Sequence, residues 1–398
     1  MKICIYAHSF PPIIGGAQTY QLNLAHGLSK LGHTVLVVTG NVPNELKPKI
    51  QEYQTNIYGL VRIPGFREFS KLGTPPKSVL LDSYKAISSF DPDIIYSHGY
   101  APCLAISLIR KALRGKHVFS YHSTPETEVK KVAGIWKGEL DLELAFARFV
   151  MQNCDFDAYV ACSQRYMDFA KNTLGLSSSK KAEVIYYGVD LEKFSCKLEV
   201  DRAIFGQKES DFVILCPVRL IERKGILDIL EALAILKKSG ALGNRKIKML
   251  IPSSRLQTNK EYEVKVYDKV KELELEDNVI ITMDRFTIKD MPNLYAASDV
   301  VVLPSYSEGL GIVLLEAMAM KKPVIATDIA GVTEVVKNNE TGFVVPIKNP
   351  ESLAMAITKV YLDRLLIENL TGNGYIFIQK NFDLSKQLKA IENLFFSL

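Results

Sequence analysis

Short apolar runs rich in β-branched residues alternate with amphipathic segments along the chain. In the first half the runs are KICIYAH, HTVLVVTG, IYGLVRIPG, DIIYSHG, KHVFSYHS and AYVACS. Helical periodicity marks the segments between them, at residues 17–31, 76–90, 101–114 and 136–152. Such alternation predicts βαβ units and therefore a parallel sheet covered by helices.

The same alternation begins again after KAEVIYYGVD (181–190) and runs from DFVILCPVR to GFVVP, followed by helices to residue 398. We therefore predict an α/β protein with two doubly wound, Rossmann-like domains. The first is residues 1–190 with a crossing helix at about 376–398, and the second is residues 191–375. Open α/β sheets bind ligands at the carboxyl ends of their strands, so two facing sheets would place a site in a deep inter-domain cleft.

The segment PSYSEGLGIVLLEAMA (304–319) carries the clearest functional signal. Glu308 precedes Gly309, Leu310 and Gly311, at a helix start whose backbone N–H groups favour an anion such as a diphosphate. Glu316 falls in the second turn of that helix, in an apolar run where a carboxylate needs hydrogen-bonding partners. Ligand hydroxyls would provide them, so the segment predicts a ligand with phosphates and a polyhydroxylated part, as in a nucleotide sugar.

Two further loops carry groups suited to phosphates. Arg219 and Lys224 follow the strand VILCPV, where a guanidinium and an ammonium group would hold diphosphate oxygens. Gly15 and Gly16 join the first strand to its helix and would let backbone amides approach a phosphate or sugar. The alternatives are two solvent-facing cations and an ordinary tight βα turn.

His122 ends the strand KHVFSYHS, where it would face the reacting centre or else be a satisfied structural residue. The other histidines are scattered without ligand spacing, so we expect no metal. The six cysteines lack a CxxC pair and indicate buried thiols in a reducing cytoplasm. No run reaches the length of a membrane span, and the N-terminus does not resemble a signal peptide.

The net charge of +5 belongs entirely to residues 1–190, with 21 Lys and Arg against 16 Asp and Glu. Two basic clusters there predict peripheral association with an anionic membrane or an anionic acceptor, the alternative being solvated helix faces. They are Arg110, Lys111, Arg114 and Lys116, and Lys130, Lys131 and Lys137. Nucleic acid is excluded because the chain lacks base-reading motifs and an aromatic-basic array.

These motifs together resemble those of the family-4 retaining glycosyltransferases, which have the GT-B fold of two facing Rossmann-like domains. The likeness rests on PSYSEGLGIVLLEAMA with the following PVIATD and Glu334, on VRLIERKG, on Gly15–Gly16, on His122 and on YGVD (187–190). It implies that Arg219 and Lys224 bind the donor diphosphate and that Glu316 binds the ribose. It also implies that Glu308 contacts the donor sugar, aided by the amides of Gly309–Gly311, that Gly16 approaches the diphosphate, and that His122 contacts the sugar or leaving group.

The resemblance also implies a reaction and a setting. A hexose-type sugar would pass from a UDP- or GDP-sugar, without metal or separate cofactor, to a glycan or lipid-linked saccharide in surface polysaccharide or glycoconjugate synthesis. The enzyme would be cytoplasmic or peripheral at the inner face of the membrane. Two alternatives stay open, namely a non-hydrolysing sugar-nucleotide epimerase and a non-catalytic GT-B partner of another transferase.

The chain departs from the family pattern mainly in the loops that border the nucleotide base. Pro252, Ser253 and Ser254 stand where the family has G-x-G, and Met283 replaces a glycine. Arg285 or Phe286 would lie beside the base. Outside these loops, Tyr187 stands where the family has asparagine before GVD.

Overall fold

The computed structural model describes residues 1–13, 15–53, 56–69, 74–122, 137–241, 243, 245–255 and 258–398. The chain forms two compact α/β units. The first takes its described residues from 1–187 and 385–398, and the second takes its described residues from 188–384. The chain therefore leaves the first unit after Tyr187, close to the predicted boundary at residue 190, and returns after Leu384.

The first unit contains a seven-stranded parallel sheet with the order β3-β2-β1-β4-β5-β6-β7. Its strands are β1 (Lys2–Ala7), β2 (Thr34–Gly40), β3 (Gly59–Ile63), β4 (Ile94–His98), β5 (Lys116–Tyr121), β6 (Ala158–Ala161) and β7 (Lys181–Val184). Every residue of β4 and β6 is buried. Strands covered by helices on both faces need such continuous burial, which explains their nearly uninterrupted apolar sequences.

Helices of this unit follow the strands in alternation. They are α1 (Gly16–Lys30), α2 (Phe66–Phe69), α3 (Lys77–Phe90), α4 (Tyr100–Ile109), α5 (Lys137–Asn153) and α6 (Gln164–Asn172), with 3-10 turns at Asn44–Tyr53 and Arg110–Ala112. The helix expected at 101–114 thus ends as α4 at Ile109 and continues as a short 3-10 turn.

The second unit contains a six-stranded parallel sheet with the order β10-β9-β8-β11-β12-β13. Its strands are β8 (Phe212–Leu215), β9 (Ile247–Ser253), β10 (Val279–Met283), β11 (Val300–Leu303), β12 (Val324–Thr327) and β13 (Phe343–Val345). In each sheet the strand order reverses beside the first strand of the unit, so both predicted doubly wound sheets are confirmed.

Its helices are α7 (Ile226–Ser239), α8 (Lys260–Glu272), α9 (Met291–Ala296), α10 (Ile312–Ala319), α11 (Ala330–Thr333), α12 (Pro350–Leu362) and α13 (Arg364–Asn381), with 3-10 turns at Arg202–Phe205 and Glu222–Lys224. The helix predicted at 331–337 is the single turn α11.

The prediction of one crossing helix at about 376–398 is wrong. The segment contains the end of α13 and a separate helix, α14 (Leu384–Phe396). The helices are interrupted because backbone groups between them bind Val189 instead of continuing a helix. The N–H of Val189 donates to Phe382 O over 2.8 Å, and its carbonyl accepts from Leu384 N–H over 3.0 Å. Most of α14 belongs to the first unit, where Glu392 lies 2.8 Å from His33 Nε2.

Two expectations about composition are corrected or left untested. Cys196 is exposed, whereas the other five cysteines are buried as predicted. Of the basic residues, Lys130 and Lys131 lie outside the described residues, as does the side chain of Lys137. Within the described part of the chain, none of the helices has the length and apolarity needed to cross a membrane.

Candidate functional site

Glu308 is held by the loop in which it lies, at the carboxyl end of β11. The hydroxyl of Ser305, a fully buried residue, donates to Oε1 of Glu308 over 2.7 Å. Thr327, the last residue of β12, donates its hydroxyl to the carbonyl of Ser305. The ends of two adjacent strands therefore fix the position of this carboxylate.

The loop that carries Lys224 is joined to the Glu308 loop. Arg223 is buried and donates from Nη1 to Ser307 O over 3.0 Å, while Tyr306 N–H donates to Arg223 O over 2.8 Å. Gly225, with φ of 63°, lies so close that an added Cβ would be 2.0 Å from Pro304 O. The strand-end loops after β8 and β11 thus form one packed body.

Lys224 and Glu308 form an ion pair at the centre of this body. Lys224 Nζ contacts Glu308 Oε1, and the two side chains are only 12% and 11% exposed. The pKa of Lys224 is lowered to about 8, mainly by burial and less by the neighbouring Arg223 and Arg219, against the opposing effect of Glu308. Burial alone would raise the pKa of Glu308, but Lys224 and Arg223 hold it below its usual value. Both groups are therefore charged at neutral pH.

Glu316 is a second buried carboxylate, on α10. It is 5% exposed, and the hydroxyl of Tyr295 in α9 donates to its Oε2 over 2.7 Å. Burial raises the pKa of Glu316 to about 7, although the Tyr295 hydroxyl and the charge of Lys193 oppose the rise. Among the described residues Tyr295 is the single hydrogen-bond donor to this carboxylate, which is the expected state of an acceptor kept for ligand hydroxyls.

The remaining candidates of the second unit lie on its strand-end loops. Arg219 is half-buried and follows β8. Arg285 is exposed after β10, with its guanidinium carbon 5.2 Å from the ring centroid of Phe286. Beside it, Asp284 accepts hydrogen bonds from Ser254 Oγ (2.7 Å) and Arg255 N–H (3.1 Å). The loops after β9 and β10, in which the glycines of the family pattern are absent, are therefore joined by hydrogen bonds to the Asp284 side chain.

The stretch Gly309–Gly311 leads into α10, and Leu310 within it is buried. Gly331, at the start of α11, presses against its backbone. An added Cβ on Gly331 would lie 2.3 Å from Gly309 O and 2.6 Å from Glu308 O. A glycine that was not predicted thus allows the backbone of the Glu308 segment to lie where it does.

Gly15 and Gly16 lie in the first unit, at the start of α1. Gly15 is extended, with φ of 169° and ψ of 163°, and so does not need glycine for its backbone conformation. Its missing side chain makes room for Gln18, whose Oε1 would lie 2.4 Å from an added Cβ and whose Nε2 donates to Ser9 Oγ over 2.7 Å. The close approach that Gly15 permits is therefore made by Gln18, a residue of the protein itself.

His122 follows β5 and is hydrogen-bonded at both ring nitrogens. Nδ1 is 2.6 Å from the Tyr187 hydroxyl, and Nε2 is 2.8 Å from His98 Nδ1. Burial lowers the pKa of His122 to about 3, with a smaller contribution from His8. The ring is consequently neutral at any pH at which the protein would work.

Several residues that complete these arrangements were not predicted. Arg223, Ser305 and Thr327 fix the Lys224–Glu308 pair, Tyr295 holds Glu316, and His98 contacts His122. Tyr295 and Glu316 are 21 positions apart, and no sequence pattern connects them. Of the residues that contact the predicted ones, Tyr187 alone was noticeable in the sequence, because it stands where the family pattern has asparagine. Among the described residues, no cluster of three or more His, Cys, Asp or Glu side chains is placed to hold a metal ion.

Comparisons with known proteins cover nearly the whole chain. The family Glycosyltransferase Family 4 matches residues 14–193, and Glycosyl transferases group 1 matches residues 198–377. An uncharacterized glycosyltransferase of Methanocaldococcus jannaschii is 26% identical, with 99% of this chain and 98% of that protein covered. The UDP-Gal:alpha-D-GlcNAc-diphosphoundecaprenol alpha-1,3-galactosyltransferase of Escherichia coli is 25% identical over 80% of this chain and 79% of that protein.

Solved structures show the same fold. Anabaena HepE in complex with UDP-glucose has a TM-score of 0.79 and 20% identity, with both chains fully covered. Sucrose-phosphate synthase from Thermosynechococcus elongatus has a TM-score of 0.82 and 20% identity over 100% of this chain and 99% of that chain. With two family matches that follow one another along the chain, and with the two doubly wound sheets described above, the protein belongs to the family-4, group 1 glycosyltransferases and has the GT-B fold.

Proposed function

We propose that this glycosyltransferase moves a hexose-type sugar from a UDP- or GDP-sugar to a glycan or lipid-linked saccharide, with retention of the anomeric configuration. The observation that carries the proposal is the packed body of the β8 and β11 loops. It holds Lys224 and Glu308 together, with Arg219 near enough to lower the pKa of Lys224. Two cations and a carboxylate at strand ends suit a diphosphate joined to a sugar.

In this proposal each group of the second unit has one task. Arg219 and Lys224 neutralise the two charges of the donor diphosphate, and the amides of Gly309–Gly311 add donors to it. Glu308 accepts hydrogen bonds from hydroxyls of the transferred sugar. Glu316 accepts from the ribose, since Tyr295 occupies only one of its oxygens. Arg285 lies beside the base.

The chemistry follows from fixed charge. The acceptor oxygen forms a bond to the anomeric carbon on the face from which the phosphate leaves, and the acceptor proton passes to a phosphate oxygen. Positive charge builds on the sugar and negative charge on the leaving diphosphate, which Arg219 and Lys224 stabilise. Neither carboxylate needs to act as nucleophile or general acid, in contrast to glycoside hydrolysis. In the first unit, Gly16 approaches the diphosphate, and His122 contacts the sugar or leaving group.

We also propose that the first unit meets a membrane-borne acceptor at the inner face of the membrane. The Escherichia coli relative has a name that specifies a diphosphoundecaprenol acceptor. The described basic cluster is partly compensated, because Asp157 pairs with Arg110 and Lys116. Lys111 and Arg114 are exposed beside Leu108, which is 55% exposed. These groups would provide the contact with anionic lipid.

The proposal is tested first by calorimetric titration with UDP, GDP and ADP, and then by turnover. Matching nucleotide sugars are incubated with polyprenyl-diphosphate saccharides in vesicles made with and without anionic lipid. We expect selective binding of UDP or GDP, release of that nucleotide only when acceptor is present, and an α-linked product from an α-linked donor. We also expect more protein to float with the anionic vesicles.

Other results would point to the alternatives. Epimerisation of a sugar nucleotide without acceptor would indicate the epimerase, and binding without turnover on any acceptor would indicate a non-catalytic partner. Absence of binding by all three nucleotides would contradict the donor site itself. Equal flotation with neutral and anionic vesicles would contradict the proposed association with anionic lipid. It would not affect the proposed transferase activity.

Donor binding is expected to have a narrow pH maximum between about 7 and about 8. Below the lower value Glu316 takes up a proton and loses its acceptor oxygen, so affinity falls as pH falls. Above the upper value Lys224 loses its proton and its charge, so affinity falls as pH rises. Each limb has a limiting slope of about tenfold per pH unit, that of a single proton.

The measurement is calorimetry with an intact nucleotide sugar from pH 5.5 to 9.5, because its diphosphate does not titrate in that range. Glu316→Gln serves as the control: it binds more weakly, lacks the acid limb and keeps the alkaline one. An affinity for the wild-type protein that stays constant from pH 5.5 to 7 would exclude Glu316 from donor binding.

A further inference from the structure

Three histidines and a tyrosine meet at the carboxyl edge of the first sheet. His8 follows β1, His98 ends β4, His122 follows β5, and Tyr187 follows β7 by a short loop. His98 Nδ1, His122 Nε2, His122 Nδ1 and the Tyr187 hydroxyl form a continuous hydrogen-bonded chain, with contacts of 2.8 and 2.6 Å. The resemblance assigned a task to His122 alone.

Neutral imidazoles carry one N–H each, so the chain can have only two directions. In one direction His98 donates to His122 and His122 donates to Tyr187; in the other, both bonds are reversed. The two differ at the open end, His98 Nε2. This nitrogen is buried and has no hydrogen-bond partner among the described residues. An unpaired lone pair there is tolerated better than an orphaned N–H, which favours the first direction.

The surrounding rings keep His122 in this orientation. The His98 ring is nearly parallel to it, with centroids 5.1 Å apart and an interplanar angle of 17°, as the edge-to-edge hydrogen bond between the two rings requires. The Tyr20 ring lies 4.6 Å from His122 and 4.8 Å from Tyr187, and its hydroxyl is 2.9 Å from that of Tyr96. A turn of the His122 ring would break both of its hydrogen bonds within a packed aromatic cluster.

We propose that His98 and Tyr187 are positioning residues that fix His122 as the Nδ1–H tautomer. His122 then presents a hydrogen-bond donor to any ligand oxygen that replaces Tyr187 at Nδ1, and it does not remove a proton from that oxygen. This assignment rests on the proposed function only for its effect on turnover. In the reaction His122 would therefore act as a neutral hydrogen-bond donor in a fixed orientation, and it would not act as a general base. Burial lowers the pKa of both His98 and His122, and the nearby His8 adds to this effect, which supports the neutral state.

Nitrogen-15 spectra of histidine-labelled protein without ligand read the tautomer directly. His117 is an internal reference, because its Nδ1 lies 2.7 Å from the carbonyl of Asp155, which can only accept. We expect His122 to give the same Nδ1–H pattern as His117, unchanged from pH 5.5 to 9. His122→Asn identifies the signals. The Nε2–H pattern in the wild-type protein would overturn the proposal.

Variants test the two positioning residues. His98→Asn keeps a polar group at the place of Nδ1, whereas His98→Leu removes it. We expect His98→Leu to give mixed His122 tautomers and about a tenfold lower kcat with donor KM changed about twofold or less. His98→Asn should recover a single tautomer and most of kcat, and Tyr187→Phe should behave like His98→Leu.

The tautomer can be measured even if one variant fails to fold or if the protein does not transfer sugar. If His98→Leu does not fold, Tyr187→Phe and His98→Asn still give the tautomer readout. A pure Nδ1–H pattern in Tyr187→Phe or His98→Leu would show that these residues do not set the tautomer. Because the spectra need neither donor nor turnover, a failure of the transferase proposal leaves this result standing.

Discussion

Lys224→Met is expected to abolish sugar transfer and to destabilise the second unit together. The substitution leaves Glu308 charged, about nine-tenths buried and without its cation. Removing one member of a buried ion pair costs about 3–5 kcal/mol, which is a large part of the stability of an ordinary domain. Denaturant unfolding and nucleotide release measure the two effects on one preparation.

The control for this prediction is the double variant Lys224→Met with Glu308→Gln. It removes the unpaired charge and keeps the hydrogen bond from Ser305, so most of the lost stability should return. Transfer should stay absent, because the diphosphate still lacks one of its two cations. Recovery of transfer by the double variant would show that Lys224 serves only to neutralise Glu308.

Gly225→Ala is expected to reduce transfer by about a hundredfold, although position 225 carries no functional group. A Cβ there would lie 2.0 Å from Pro304 O, so the Lys224 loop and the Glu308 loop must separate. Displacements of about 1 Å in catalytic groups are enough for losses of this size. Steady-state kinetics with the donor found by titration measures the loss.

Gly240→Ala is the matched control. Gly240 has φ of 62° against 63° for Gly225 and also borders α7, but none of the described residues beyond its chain neighbours lies within 4 Å of its added Cβ. Both alanines pay the roughly 1–2 kcal/mol of a left-handed backbone, and only Gly225→Ala adds the clash. Equal kinetics in the two variants would mean that contact between the loops does not matter for transfer.

The fold was predictable from local patterns to an unusual degree. Buried parallel strands such as β11 need uninterrupted apolar residues, so their positions are visible in the sequence. The errors occurred where long-range contacts override local preference. The break between α13 and α14 depends on Val189, and the shortness of α11 accompanies the contact of Gly331 with the Glu308 segment.

The site was predictable in its residue types and not in its contacts. Lys224 and Glu308 were each expected to contact a ligand, and the structure shows that they also contact each other, 84 positions apart in the sequence. The buried carboxylate of Glu316 was foreseen to need partners, but its bond to Tyr295 depends on how α9 packs near α10. His122 was expected to face a reacting centre, and its two hydrogen bonds appear only once β4, β5 and the Tyr187 loop are in place.

The described residues of the first unit come from two separate stretches of the chain, 1–187 and 385–398, and this affects the order in which the protein folds on the ribosome. Helix α14 completes this unit: Leu388 fills the space beside Gly27, Phe395 packs on Tyr96, and Glu392 bonds to His33. None of these contacts can form until all of the second unit has been synthesised. The described residues of the second unit form one stretch, 188–384, whose ends meet at Gly188 and Leu384, so this unit can close first. During translation the first unit is therefore the one whose apolar surface stays exposed longest, until its last helix has been made.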